Sequence, residues 1–200
     1  MSRHCFALLL LLQVVAGCSK PTASEYFPKP KNGATWEYKL QFMSAVYGGG
    51  VQSGKTVIRF DGTETIRNQQ YLRRVSVTTG IPGSNPKTRY YRYAPDGIYV
   101  VDPSDKDLRE YLYIPLPIDV GRSWTTGAGS SHFSYHAESV ETLELIDKKY
   151  ESCLKITYKG RREDGEYEGT MWFAKGIGNV KEVTRFSAGI LEMILEKHNL

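Results

Sequence analysis

The sequence predicts an all-β domain built on a single strongly curved antiparallel sheet, an open half-barrel, with a β-sandwich as the alternative. Three observations lead there. Apolar and aromatic residues recur with a period of two along most of the chain. The segments are punctuated by Asp61-Gly62, Asp96-Gly97 and Asp164-Gly165, dipeptides that accept the positive φ of tight hairpins. No stretch of ten or more residues carries a capped 3.6-residue period, although residues 103–110 could form one helical turn.

The first strand is read from Trp36, Tyr38, Leu40 and Phe42, which alternate with Glu37, Lys39 and Gln41 as in a half-buried strand. Val57–Phe60, Tyr71–Thr79, Arg89–Tyr93, Ile98–Val101 and Tyr111–Leu116 continue in β-branched and aromatic residues. So do His132–Ala137, Val140–Leu145, Leu154–Tyr158, Tyr167–Phe173, Val180–Phe186 and Ile190–Leu195. Pro82–Pro86 forms a longer loop, Val101–Asp105 ends a strand, and Gly176 and Gly178 flank a turn. A sheet of about ten strands must curl, split or close.

The N-terminus bears on location. A basic start, Met1–His4, precedes an apolar run from Cys5 to Val15, and Val15-Ala16-Gly17-Cys18 leads abruptly into polar chain. This is the pattern of a secretory signal, and the run falls short of the ~20 residues of a spanning helix. Val-Ala-Gly-Cys resembles the lipobox of bacterial lipoproteins. The resemblance implies cleavage between Gly17 and Cys18 and acylation of Cys18, several acyl chains making a firm anchor. Ser19, where aspartate would favour inner-membrane retention, resembles an outer-membrane address, which implies the periplasmic side of that membrane. The expected organisation is a signal peptide over 1–17, a lipidated proline-rich tether over 18–33 and one β domain over 34–200.

The 200 residues carry a net charge of +4, with basic and acidic residues mixed along the chain, too mild a balance to imply nucleic acid. Of three cysteines, Cys5 leaves with the signal and Cys18 carries lipid. Cys153 remains, so no internal disulfide is expected, and it reads as a small buried residue rather than a nucleophile.

Gly49–Thr56 spell G-x-x-x-x-G-K-T, the phosphate-loop consensus. A true phosphate loop follows a buried parallel strand and opens a helix. Here the upstream strand alternates, and Val57–Gly62 is strand chemistry closed by a turn. Residues 48–55 therefore read as a glycine-rich hairpin connection, with no nucleotide bound. His132 and His136 lie in a strand pattern, about 13 Å apart on one face, too far for a shared zinc. Glu163, Asp164 and Glu166 cluster at a hairpin tip as solvated charge, and no G-x-S-x-G elbow is present. No catalytic, cofactor or metal residue is singled out, and no enzyme activity is expected. Fourteen tyrosines, mostly in strands, suit half-wet sheet faces. Their functional alternative is an amphipathic concave surface for an apolar or glycan ligand.

Three stretches together resemble uncharacterised bacterial lipoproteins. Tyr26-Phe27-Pro28 with Asn32-Gly33 and Thr35–Tyr38 is similar to their opening, Ser152–Ile156 to a "DCLKV" strand, and Met171–Lys181 to a "WYAPGVGLVK" strand–turn–strand. Lys175 stands where those proteins typically have proline. The resemblance implies an open β half-barrel like that of Lol-type lipoprotein carriers, and carries over no catalytic residue. The function expected is a non-enzymatic, lipid-anchored envelope protein binding an apolar or lipid ligand, or a lipidated partner, on a concave β surface. The alternative is an interaction or assembly factor of an envelope complex with no small ligand.

Overall fold

The computed structural model describes residues 23–45, 49–82, 84–128 and 131–200. The signal stretch, the cleavage site at Gly17 and the lipidation site at Cys18 lie outside the described residues. A 3-10 turn (Ala23–Tyr26) precedes twelve strands. These are β1 (Thr35–Ser44), β2 (Val51–Ile66), β3 (Gln69–Thr79), β4 (Lys87–Ala94), β5 (Gly97–Val101) and β6 (Glu110–Pro115). The second six are β7 (Ser123–Ala128), β8 (Ser131–Glu144), β9 (Lys149–Arg162), β10 (Gly165–Ala174), β11 (Gly178–Phe186) and β12 (Gly189–Asn199).

All twelve form one antiparallel sheet in the order β6-β5-β4-β3-β2-β1-β12-β11-β10-β9-β8-β7. Each half of the chain is a meander, and β1 and β12 join the halves in the middle, from Thr35 opposite Asn199 to Ser44 opposite Gly189. The sheet curls until its two outer strands meet. There the Trp124 indole of β7 donates to the Tyr113 carbonyl of β6 at 3.0 Å. The expected half-barrel is thus wound into a nearly closed barrel, and the sandwich alternative is not adopted.

Alternation decides which side chains enter the barrel. Trp36, Tyr38 and Leu40 are buried while Glu37, Lys39 and Gln41 lie outside. Directly paired residues share a face, so the register carries the inward side across the sheet. Ile58 and Phe60 continue it on β2; Phe60 pairs with Arg74 of β3, and Arg74 with Arg89 of β4. On the other half, Met171, Glu182 and Met193 are paired in a row, as are Trp124, Tyr135 and Tyr158. Each fully buried aromatic or aliphatic side chain in this core contributes about 1.5–3 kcal/mol.

Several expectations are corrected. Asp61-Gly62 is a bulge inside β2, where the register against β3 shifts between Phe60 and Thr63 and Gly62 has φ 81°. The hairpin turn falls at Arg67-Asn68, with φ 48° and 63°, the backbone of a two-residue turn that matches strand twist. The segments 132–137 and 140–145 are parts of one strand, β8. Strand β7, SWTTGA, escapes a hydrophobic pattern search because Trp124 is its sole large apolar residue. Of residues 48–55, read as connection, Val51 to Lys55 already belong to strand β2.

The body also begins earlier than residue 34. Tyr26 and Phe27 are 3% and 7% exposed and belong to the main core. The Phe27 ring lies 4.7 Å from Phe173, the Tyr26 hydroxyl donates to the Ser152 carbonyl at 2.9 Å, and the Gly176 amide donates to the Glu25 carbonyl at 2.7 Å. From Glu25 onward the supposed tether is a plug across one end of the barrel.

Candidate functional site: a polar belt inside an aromatic barrel

The plug forms the floor of an inner cavity of about 170 Å³, walled by Trp36, Phe60, Tyr91 and Phe173 among others. At the other end a wider cleft of about 710 Å³ opens between Arg89, Asp102 and Tyr111 on one side and Thr126, Phe133 and Arg162 on the other. Tyr113 borders both spaces. It stands in a chain of mostly edge-to-face rings: Trp36–Phe60 at 5.6 Å, Phe60–Tyr91 at 5.9 Å, Tyr91–Tyr113 at 6.3 Å and Tyr113–Tyr135 at 6.3 Å. Trp124 then stacks on Tyr135 at 5.2 Å.

Two charges sit in this aromatic interior. Glu182 accepts from the Tyr158 hydroxyl at 3.0 Å, from Thr184 Oγ1 at 3.3 Å and from Asn179 Nδ2 at 3.4 Å. Burial raises its pKa above the usual carboxylate value, against the Tyr158 and Thr184 hydrogen bonds and the fields of Arg162 and Arg74. Arg74 lies over the Tyr91 ring at 5.7 Å and lines the inner cavity with Glu182. Among the described residues its guanidinium has no hydrogen bond and no ion pair within 4.0 Å. The phenols of Tyr93, Tyr113 and Tyr135 likewise have no hydrogen-bond partner among the described residues. Burial pushes all three above the ordinary tyrosine range, so they remain neutral donors.

The mouth carries further cations. Arg89 pairs with Asp102 at 3.2 Å, and Arg162 lies over Phe133 and Tyr167 at 5.2 and 4.9 Å. Burial and the neighbouring Arg162 and Arg89 push the Lys87 ammonium below its ordinary value. The acidic groups of the rim are engaged locally: Asp102 accepts from the Ser104 amide and hydroxyl, and Asp164 from the Tyr167 hydroxyl at 2.6 Å.

The features singled out in the sequence fall elsewhere. Lys55 of the phosphate-loop spelling pairs with Glu37 at 2.5 Å across the β1–β2 hairpin. His132 and His136 lie exposed on the outer face of β8, where His136 Nδ1 meets Ser123 Oγ at 2.9 Å. Cys153 is fully buried and its thiol is pushed up to about 11 by burial. Among the described residues no group of three or more His, Cys, Asp or Glu side chains could hold a metal ion. The tyrosines read as ordinary strand residues prove to line the lumen in number. Arg74 and Glu182 were not anticipated, because a charge within an alternating strand normally marks the wet face. The usable signal is parity: Glu182 shares its phase with Val180, which is fully buried.

The molecule is a nearly closed antiparallel meander barrel with a polar belt in an aromatic lumen. Two solved structures share this fold. One, from Bacteroides fragilis, is provisionally described as an exported protein with a YmcC-like fold. It aligns with a TM-score of 0.52 and 12% identity over 85% of this chain and 97% of its own. The other, from Parabacteroides distasonis, is provisionally described as a lipoprotein and aligns with a TM-score of 0.53 and 13% identity over 87% and 98% of the two chains. At these identities the likeness is one of fold. No family model and no curated protein matches the sequence.

Proposed function

We propose that this chain is a lipid-anchored protein of the bacterial cell envelope that binds an apolar-bodied ligand, or a lipidated partner, in its barrel lumen, and performs no chemistry of its own. The anchor rests on the lipobox at Val15–Cys18, and Ser19 favours the periplasmic face of the outer membrane. The descriptions of the two structural neighbours, one exported and one a lipoprotein, support an envelope location and do not specify the membrane. The observation that carries the binding function is the pair of spaces that meet at Tyr113, one open at the mouth and one floored by the plug. Aromatic walls with a few polar groups are the usual make-up of a small-molecule site.

Native mass spectrometry of the chain purified from envelopes tests both parts. A lipid mass on Cys18 and a co-purifying ligand, displaced by an apolar fluorescent probe, are expected. An unmodified Cys18 removes the anchor, and a lumen that takes up neither ligand nor probe removes the binding function. The assembly reading has its own support on the outer face, where Met43 and Val51 face each other and are 39% and 63% exposed, and Val77 of β3 is 40% exposed. Cross-linking in intact envelopes from positions 43 and 77 would capture such a partner.

A further inference from the structure

We infer that the inner cavity selects a small apolar carboxylic acid, with its carboxylate held by Arg74 and the phenols of Tyr93 and Tyr113 and its body among the rings of the floor. This rests on the lumen-binding reading and adds a ligand class to it.

Hydrogen-bond capacity inside the lumen is one-sided. Arg74 offers five N–H groups and has only the Tyr91 face beneath it. Tyr93 and Tyr113, which line the same cavity, present hydroxyls without partners among the described residues. The acceptors, by contrast, are occupied or out of reach. Glu182 already takes the Tyr158 and Thr184 hydroxyls, the Asn179 carbonyl takes the Tyr38 hydroxyl at 2.9 Å, and Asn179 Oδ1 is sealed from the cavity. The half-buried Arg74 thus presents a guanidinium fork that no side chain among the described residues occupies, and a planar carboxylate fits such a fork bidentately.

Glu182 lines the same cavity, but its carboxyl is already engaged by the Tyr158 and Thr184 hydroxyls, and burial raises its pKa, which weakens its opposition to a second carboxylate. Size sets the body of the ligand. A cavity of about 150 Å³ is enough for a benzene ring, and this one has about 170 Å³. A longer body passes Tyr113 toward the mouth, which Arg89 and Arg162 line together with Asp102 and Asp164.

The test is isothermal titration of the full chain in phospholipid nanodiscs, with empty discs subtracted, against 4-propylbenzoate, propylbenzene and 4-propylaniline. The expected result is at least tenfold tighter binding of the benzoate than of either neutral compound. Arg74→Met should abolish that preference while propylbenzene binds as before, and Tyr113→Phe, which removes one hydroxyl and keeps the ring, should lower it severalfold. The melting temperature of each variant establishes that it is folded, and Tyr113→Phe serves if Arg74→Met is not. Octanoate in the same series distinguishes a chain from a ring as the preferred body. Equal binding of benzoate and propylbenzene, or preference for the aniline, overturns the carboxylate site but leaves the lumen reading standing. Failure of all the compounds to bind overturns both.

Discussion

Glu182 is a carboxylate placed among tyrosines, and its protonation links the lumen to stability. Its ordinary pKa is 4.5 and its folded value is higher, with burial the main cause. Between those values the folded state holds a proton that the unfolded state has lost, so stability falls as pH rises through that window. The charged or titratable groups around it are Tyr158, Arg74, Arg162, Tyr113, Tyr135 and Tyr38. Urea unfolding of the wild type and Glu182→Gln from pH 4 to 8 should show the variant gaining relative to wild type as pH rises, and parallel curves would remove this account. Cys153 gives a second residue-scale prediction. Its full burial and raised pKa should make it inert to aromatic disulfide reagents until the protein unfolds, as a thiol-release assay would show. Cys153 was legible in the sequence as a small core residue. Arg74 and Glu182 were not, because a charge in an alternating strand reads as outward unless its phase is followed from a buried neighbour such as Val180.

At the level of elements, the strands whose alternation is apolar could be read directly, β1 most clearly. What the sequence hid were departures from regular pairing. Asp61-Gly62 has the chemistry of a hairpin turn, but the pairing of Thr63–Ile66 with β3 continues the strand through it as a bulge. Gly62→Ala has open space for its methyl group, so its cost should come from backbone conformation alone, about 1 kcal/mol by chemical denaturation. The plug was also hidden, since three prolines suggest an extended tether and say nothing about what it lies against. Phe27→Ala, which removes a buried ring packed on Phe173, should cost about 3 kcal/mol and open the cavity floor to an apolar dye. A loss below 1 kcal/mol would mean that the plug is only loosely seated.

For the whole molecule, antiparallel β architecture followed from period and turns, while the degree of closure did not. Curvature is set by bulges and by β7, whose composition carries little apolar signal, so an open half-barrel and a nearly closed one look alike in sequence. The phosphate-loop spelling is answered at this scale too. Its lysine is fixed across an antiparallel hairpin and no helix follows, so ATP with magnesium should leave the melting temperature unchanged. The seam between β6 and β7 is joined by the Trp124 side chain instead of a strand ladder. Trp124→Phe should therefore speed amide exchange along these two strands before any others, as mass-resolved exchange would reveal.

The central pairing of β1 with β12 has a consequence for how the polypeptide matures. Trp36 lies opposite His198, so an early ribbon waits for almost the entire remainder to be made before its second flank is covered. A nascent intermediate that lacks β12 cannot join the two halves of the sheet across its middle. The same arrangement makes shortened products hazardous: a fragment stopping at Phe186 would expose the flanks of β1 and β11 together, and light scattering should detect its self-association.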